Sequence, residues 1–355
     1  MGKKRGNNGH GMPADNTTSH LIPGFFIPHM EEFVSARGGD AELLYAAAGI
    51  DRASFLPREH TVTEDQLYAI VTSAKKLSNE PAFGLEIGHR FNLGSFGLLS
   101  SALMSCATLR DVVQMLERYS VLVLPLLRFS SFESETELVL EMTALASYPD
   151  LNQTIIEALL SCSTKMFPLL VGRHIGANRI CCQFEAPPYA NRFPAAMAQK
   201  FSFGAQKNLI CLKREYADLK LVTANSTDAS SMMAECEKAL IRSQQTKSLT
   251  DKVVDLVRYY LDTNPTSHQI AQQLNMTERT LRRKLSEEGA SYRKLLAGIR
   301  EDVAKYYLSQ TNLQIGQIAL KLGYGETSNF RSAFKTWTGM PPRHWRQNHH
   351  HHTSE

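Results

Sequence analysis

Cysteine is scarce here and lacks any paired spacing, which argues against two classes of protein at once. The six residues (Cys106, Cys162, Cys181, Cys182, Cys211 and Cys236) sit mostly inside apolar runs. None has the spacing of a structural zinc site, and the adjacent Cys181 and Cys182 would face opposite sides of a strand. They read as reduced, buried thiols of a cytosolic protein. Long hydrophobic runs are missing too. The longest, Val121–Leu127, contains Pro125 and falls far short of a membrane span. The Lys/Arg-bearing N-terminus has no apolar core after it, so no signal peptide is read there and the expected location is the cytoplasm. Gly84, Gly88, Gly94 and Gly97 make no dinucleotide fingerprint, because no G-x-G-x-x-G follows a clear strand. No Walker loop, nucleophile–base pair or metal motif is visible, so the chain is not expected to be an enzyme and no cofactor is implied.

What remains is an ordinary globular composition, 43% hydrophobic and 21% charged, in 355 residues, enough for two domains with separate cores. The net charge of +4 hides an asymmetry. Residues 247–346 carry 16 Lys and Arg against 9 Asp and Glu, or +7, and the rest of the chain is at −3. A basic C-terminal module beside a mildly acidic remainder predicts that only the former meets a polyanion.

That module contains two helix-turn-helix patterns. In the first, Ile270, Ala271 and Leu274 share one helical face, Asn275 and Met276 turn the chain, and Thr277 caps a second helix that buries Leu281 and Leu285. Its outer face carries Arg279, Arg282, Arg283 and Lys284, the layout of a recognition helix. In the second, Ile315, Ile318, Ala319 and Leu322 form the supporting helix and Gly323 ends it in a left-handed conformation. Thr327 or Glu326 starts the next helix, which buries Phe330 and Phe334 and leaves Thr327, Ser328, Asn329 and Arg331 facing outward.

At these residues the sequence resembles the DNA-binding domain of the AraC/XylS family of bacterial transcription regulators. Arg300, Ala304 and Leu308 on the connecting helix carry the resemblance, with Ile318-Ala319, Leu322-Gly323-Tyr324, Phe330, Phe334, Gly339, Pro341-Pro342 and Arg346. Tyr324, Trp345 and Gly325-Glu326 depart from the commoner family residues. The resemblance implies base contacts from the first turns of both recognition helices: Glu278, Arg279, Arg282 and Arg283 in one, Thr327, Ser328, Asn329 and Arg331 in the other. Arginine reads guanine and asparagine reads adenine in bidentate fashion. Lys284, Lys321, Lys335 and Arg343, with backbone amides at the helix starts, would hold phosphates. Glu278 has three readings: a cytosine contact, repulsion of phosphate, or preference for a helix N-terminus. Arg300 is open to a structural role, bridging to its neighbours Glu301 or Asp302 or to the facing helix, and Trp337 and Trp345 are expected in the core. A DNA-repair methyltransferase can carry the same unit, but it needs a zinc-bound cysteine cluster that is lacking here.

Residues 1–20 are expected to be a disordered tail and 347–355 another, with His349–His352 read as an added or neutral tail rather than a metal sensor. Between them the expected plan is an α+β effector-binding and dimerisation domain at 21–222, a segment at 223–247 that is helical in pattern through Met232, Met233, Leu240 and Ile241 and is read as a linker or the start of the second domain, and an all-α DNA-binding domain at 248–346. Helices are predicted over Pro28–Gly38, Asp40–Ala48, Thr63–Leu77, Gly97–Met104, Thr108–Val121 and the apolar Asn152–Val171. Strands are predicted over Leu126–Phe132, Thr136–Met142, Arg179–Glu185 and Leu209–Leu212. This order, through Gly97–Ser120 and Phe201–Leu219, resembles the arabinose-binding-type effector domain of one branch of the same family. His89, Arg90, Arg128, Arg173, His174 and Tyr189 are polar groups available to a small ligand, and none is assigned to one. The expected function is a sequence-specific transcriptional regulator, read as an activator, that answers a small metabolite and acts as a homodimer with promoter DNA and RNA polymerase. The alternative is an effector-independent regulator controlled by abundance or a protein partner.

Overall fold

The computed structural model describes residues 21–193, 200–224, 226–311 and 313–349. The expected tail at 1–20 and the histidines beyond 349 lie outside them. Residues 347–349, expected in a tail, instead finish the last helix.

The first domain opens with β1 (Ile22–Pro23), α1 (Ile27–Ser35), α2 (Glu42–Ala47) and β2 (Thr61–Val62), in which β1 and β2 pair antiparallel. Next come α3 (Glu64–Ser78), α4 (Phe83–Arg90), α5 (Leu98–Ser105) and α6 (Leu109–Tyr119). Two of these starts follow from capping boxes: Thr63 with Gln66 begins α3, and Thr108 with Asp111 begins α6. The chain continues through β3 (Leu127–Glu133), β4 (Glu137–Ala144), α7 (Pro149–Val171), β5 (Arg179–Cys181), β6 (Phe201–Ser202), β7 (Asn208–Lys213) and α8 (Ser226–Thr246). The larger sheet runs β3-β4-β7-β5-β6, antiparallel except for the β5–β6 pair.

Helix α7 is long and apolar enough to cross a membrane by length and composition alone, yet it forms the floor on which α4 lies. The glycines of α4 make that approach possible. A Cβ at Gly88 would sit 2.1 Å from the Ala158 carbonyl oxygen, and one at Gly84 would sit 2.9 Å from the Thr154 carbonyl. Helices crossing at backbone contact tolerate no side chain there. Gly88→Ala should therefore pry α4 from α7 and cost the first domain about 1–3 kcal/mol despite the better helix propensity of alanine. Chemical denaturation followed by a first-domain probe checks this; unchanged stability would mean that the two helices can slide apart freely.

The segment expected as a linker is mostly α8, and it belongs to the first domain's core. Cys236 is fully buried there, Met232 and Leu240 pack beside it, and Glu237 accepts hydrogen bonds from Arg118 (2.9 Å) and the Tyr119 hydroxyl (2.8 Å). Strand β5 stops at Cys181, short of the predicted Glu185.

The second domain is all helical: α9 (Leu249–Tyr259), α10 (Ser267–Gln273), α11 (Glu278–Glu287), α12 (Tyr292–Gln310), α13 (Ile315–Lys321), α14 (Thr327–Thr338) and α15 (Pro342–His349). Its core gathers Val253, Val257, Ile270, Leu281, Leu285, Ala304, Leu308, Ile318, Phe330 and Phe334. The N-terminus of α9 is held by Glu288, whose carboxylate accepts from the Leu249 and Thr250 amides and the Thr250 hydroxyl. These are the donors a helix start leaves unpaired.

The two domains touch through polar contacts. Arg258 on α9 donates to Glu64 at 2.7 Å and to the Ser147 hydroxyl at 2.5 Å, and the Ser147 amide also donates to Glu64. The Asp150 amide donates to the Tyr306 hydroxyl of α12 at 3.0 Å. Asp255 on α9 meets Arg128 at 3.4 Å and Lys247 at 2.9 Å.

Candidate nucleic-acid interface

Each recognition helix is positioned by a tight turn against its supporting helix. In the first unit Asn275 takes a left-handed φ of 52°, reversing the chain between α10 and α11. The Thr277 hydroxyl accepts from the Thr280 amide at 3.2 Å and fixes where α11 starts. Ala271 is buried at the contact, small enough to let the helices cross closely. In the second unit Gly323 has φ +75°, and a Cβ there would meet the Leu261 carbonyl oxygen at 2.4 Å, so two constraints demand glycine. Glu326 takes the N-cap position of α14, which begins at Thr327.

The buried and exposed faces separate cleanly. Leu281 and Leu285 of α11 and Phe330 and Phe334 of α14 point into one core, shared with α12 between them. Outward stand Thr277, Arg279, Arg282, Arg283 and Lys284 on the first unit, and Ser328, Asn329, Arg331 and Lys335 on the second. Thr327 and Glu278 are half-buried at the helix starts. Arg279, Lys284, Arg331 and Lys335 have no ion-pair partner among the described residues, so their charges are open to an anion. Arg282 leans on Glu278 at 3.2 Å while its side chain stays 81% exposed, and Arg283 pairs with Glu287 one turn on. Both pairs are surface contacts of the kind a phosphate can displace.

Glu278 is occupied within the fold. It accepts from the Ser267 hydroxyl at 2.7 Å, tying the start of α11 to the start of α10, and that bond, helped by Arg282, holds its carboxyl below the usual range. Of the three readings of this residue, the helix-terminus one has a visible partner.

Arg300 is 7% exposed, donates to the Asn264 side chain at 2.8 Å, and lies 4.5 Å over the Tyr324 ring. It fastens α12 to the turns below both helix-turn-helix units, and it does so without its own neighbours Glu301 or Asp302. Arg346 donates to the Leu313 carbonyl at 2.6 Å and the Leu308 carbonyl at 3.3 Å, fixing α15 across the end of α12. Trp337 and Trp345 pack on the Phe334 ring, with centroids 6.4 and 5.8 Å away. Lys321 is partly turned inward, its ammonium 5.9 Å from the Tyr307 ring.

In the first domain four of the polar groups considered for a ligand are engaged elsewhere, while His89 and His174 are exposed. Arg128 faces Asp255 across the domain contact, the Tyr189 hydroxyl donates to buried Glu157 at 2.8 Å, and Arg90 and Arg173 lie over Phe33 and Tyr216. Burial pushes the Glu157 carboxyl up, against the hydrogen bonds from Gln153 and Tyr189. Two features escaped the sequence reading: the Arg258–Glu64 contact, whose partners lie far apart in sequence, and an apolar cavity beside α7.

Comparison with known proteins agrees with this architecture. Residues 38–221 match the family described as the arabinose-binding domain of AraC transcription regulators, and residues 270–348 match a helix-turn-helix domain. The ornithine utilization regulator of Pseudomonas aeruginosa is 28% identical over 339 residues, covering 94% of this chain and 98% of its own. The regulator VirS of Mycobacterium tuberculosis is 41% identical over 100 residues, 28% of this chain and 29% of its own. The crystal structure of the regulator CdpR from Pseudomonas aeruginosa covers 91% of this chain and 98% of its own at 24% identity, with a TM-score of 0.43. These relatives are transcriptional regulators and not enzymes. With the effector-type N-terminal family matched over more than half of the chain and a double helix-turn-helix behind it, the chain belongs to the AraC family of transcription regulators.

Proposed function

We propose that this regulator reads an asymmetric promoter site with both recognition helices at once, activates transcription, and takes its signal through the first domain. The observation that supports this most is the pair of exposed faces on α11 and α14 mounted on one core by α12. Two recognition helices on a rigid connector suit successive major grooves about 10 bp apart, so that one chain covers roughly 20 bp of DNA, bent where seating both helices requires it. Arg279, Arg282 and Arg283 on α11, and Thr327, Ser328, Asn329 and Arg331 on α14, would read base edges. Thr277, Lys284, Lys335 and Arg343 would hold phosphates. Glu278 would position α11 through Ser267 rather than read a base. A homodimer binding paired sites and contacting RNA polymerase in the cytoplasm completes the reading.

Sequencing of genomic fragments captured by the purified protein at two salt concentrations tests it. A few promoters sharing a motif are expected. Uniform recovery that disappears at higher salt would sink the sequence-specific reading. On the motif so found, Arg282→Ala should relax preference at one base pair by about tenfold or more. Lys335→Ala should weaken all sequences alike and lower the salt slope by about one. If both variants bind specific and random DNA as the parent does, the contact assignment fails.

A further inference from the structure

The first domain holds a cavity of about 90 Å³, partly open to solvent, between α3, α4, α7 and the segment leading into β3. Its wall is apolar, built by side chains such as Phe26, Val71, Ile87, Phe91 and Leu127. The one hydroxyl on the wall, that of Thr154, is already given to the Asp150 carbonyl at 2.7 Å. Ile155 and Leu159, successive turns of α7 and both only partly buried, stand on the wall nearest solvent. Protein interiors seldom keep voids larger than a water molecule. A water needs two to four polar partners, and this wall offers none among the described residues, so water gains little by entering it. An enclosed apolar cavity of about 150 Å³ is known to take up benzene; this one is smaller, and its open side lets a ring seat partway. A sugar would lose its hydrogen bonds here and find no replacements.

Three of the polar contacts to the DNA-binding domain named above leave from the same wall elements. Leu67 lies one turn along α3 from Glu64, the partner of Arg258. Leu151 follows Asp150, the partner of Tyr306, and Leu127 precedes Arg128, the partner of Asp255. We propose that this cavity is the effector site, that it takes a small uncharged apolar molecule (an aromatic ring or a short branched alkyl group), and that its filling shifts the three interdomain contacts. The coupling half of this rests on the regulator reading above; the binding half does not. Any molecule that fills the wall and moves α3, α7 and Arg128 changes the docking of α9 and α12, and reciprocity requires that DNA binding change its affinity in return.

The test uses the full chain with benzene as probe and L-arabinose as the polar comparison. Benzene near its aqueous solubility should raise the melting temperature by about 2 °C or more, and arabinose should not. Leu159→Trp, which puts an indole into the void, should abolish the benzene shift; Ile155→Trp serves the same purpose if the first variant fails to fold. A shift with arabinose alone, no benzene shift, or a benzene shift untouched by both tryptophans overturns the cavity assignment. On a captured promoter fragment, benzene should change the dissociation constant at least fivefold in the parent. In Arg258→Met the change should fall below twofold. An equal change in both proteins overturns the coupling. A parent that binds no promoter refutes the regulator reading, and the melting experiment then decides the cavity by itself.

Discussion

Phe334→Ala is expected to remove about 3–5 kcal/mol from the stability of the DNA-binding domain. The ring is fully buried, and it is where α12, α14 and α15 meet: Phe330 lies 5.8 Å away, Trp337 6.4 Å and Trp345 5.8 Å by ring centroids. Truncation leaves a void walled by large aromatic rings that cannot collapse into it without moving α15. That helix is also held by Arg346 through the carbonyls at the end of α12. A native domain holds only about 5–15 kcal/mol in total, so the loss is a large share of it. Thermal unfolding should show the second domain melting earlier while the first domain's transition stays in place, because their cores are separate clusters. Phe334→Leu, which keeps most of the volume, should cost far less. Promoter affinity should fall with the alanine variant even at temperatures where the domain is still folded, since Ser328, Asn329 and Arg331 are aimed by the face that Phe330 and Phe334 anchor. A second-domain transition displaced by less than about 1 kcal/mol would show that the aromatic cluster repacks and does not fix α14.

The sequence disclosed the second domain better than the first, for a physical reason. Helices α9 to α12 each start at a Ser or Thr whose hydroxyl caps them, and the two units repeat one plan, so periodicity and the Thr277 cap sufficed to place α11. Polar residues on an exposed recognition face are also visible in a pattern that needs only the buried face to be known. Arg300 and Arg346 were recognisable as marked positions, but their roles depend on the Asn264 side chain, the Tyr324 ring and two carbonyls that no spacing reveals. In the first domain the glycines of α4 weaken every local helix signal, and they make sense only once α7 lies against them. The β6 strand is two residues long and pairs in parallel with β5, too short for alternation to register. The helical pattern of α8 is legible, but not the domain it belongs to, because the inward side of Cys236 has meaning only with α5 and α6 beneath it. The cavity leaves no trace in one dimension, since it is made by what several apolar segments fail to fill.

The second large effect is expected at the domain contact. Arg258→Met should cost about 3–5 kcal/mol of docking free energy, because it strands the Glu64 carboxylate, whose side chain is 6% exposed against 10% for Arg258. Glu64 would keep only the Ser147 amide as a partner at this contact. The protein has an escape that a core ion pair lacks: the domains can part and let water reach Glu64. The loss should therefore appear as separation of the domains, with each core intact. Small-angle scattering should register a larger radius, and hydrogen exchange should quicken at the start of α3 and around Ser147 and Asp150 while Phe33 and Phe334 stay protected. Adding Glu64→Gln to Arg258→Met should restore much of the docking, since a neutral amide loses less on burial than an unpaired carboxylate. The difference between double and single variants then measures the coupling of the pair itself. Unchanged scattering and exchange in Arg258→Met would mean that Tyr306–Asp150 and Arg128–Asp255 hold the domains unaided. A shift shared by both singles and relieved in the double would identify Arg258 and Glu64 as the contact that sets the orientation of α11 and α14 toward DNA.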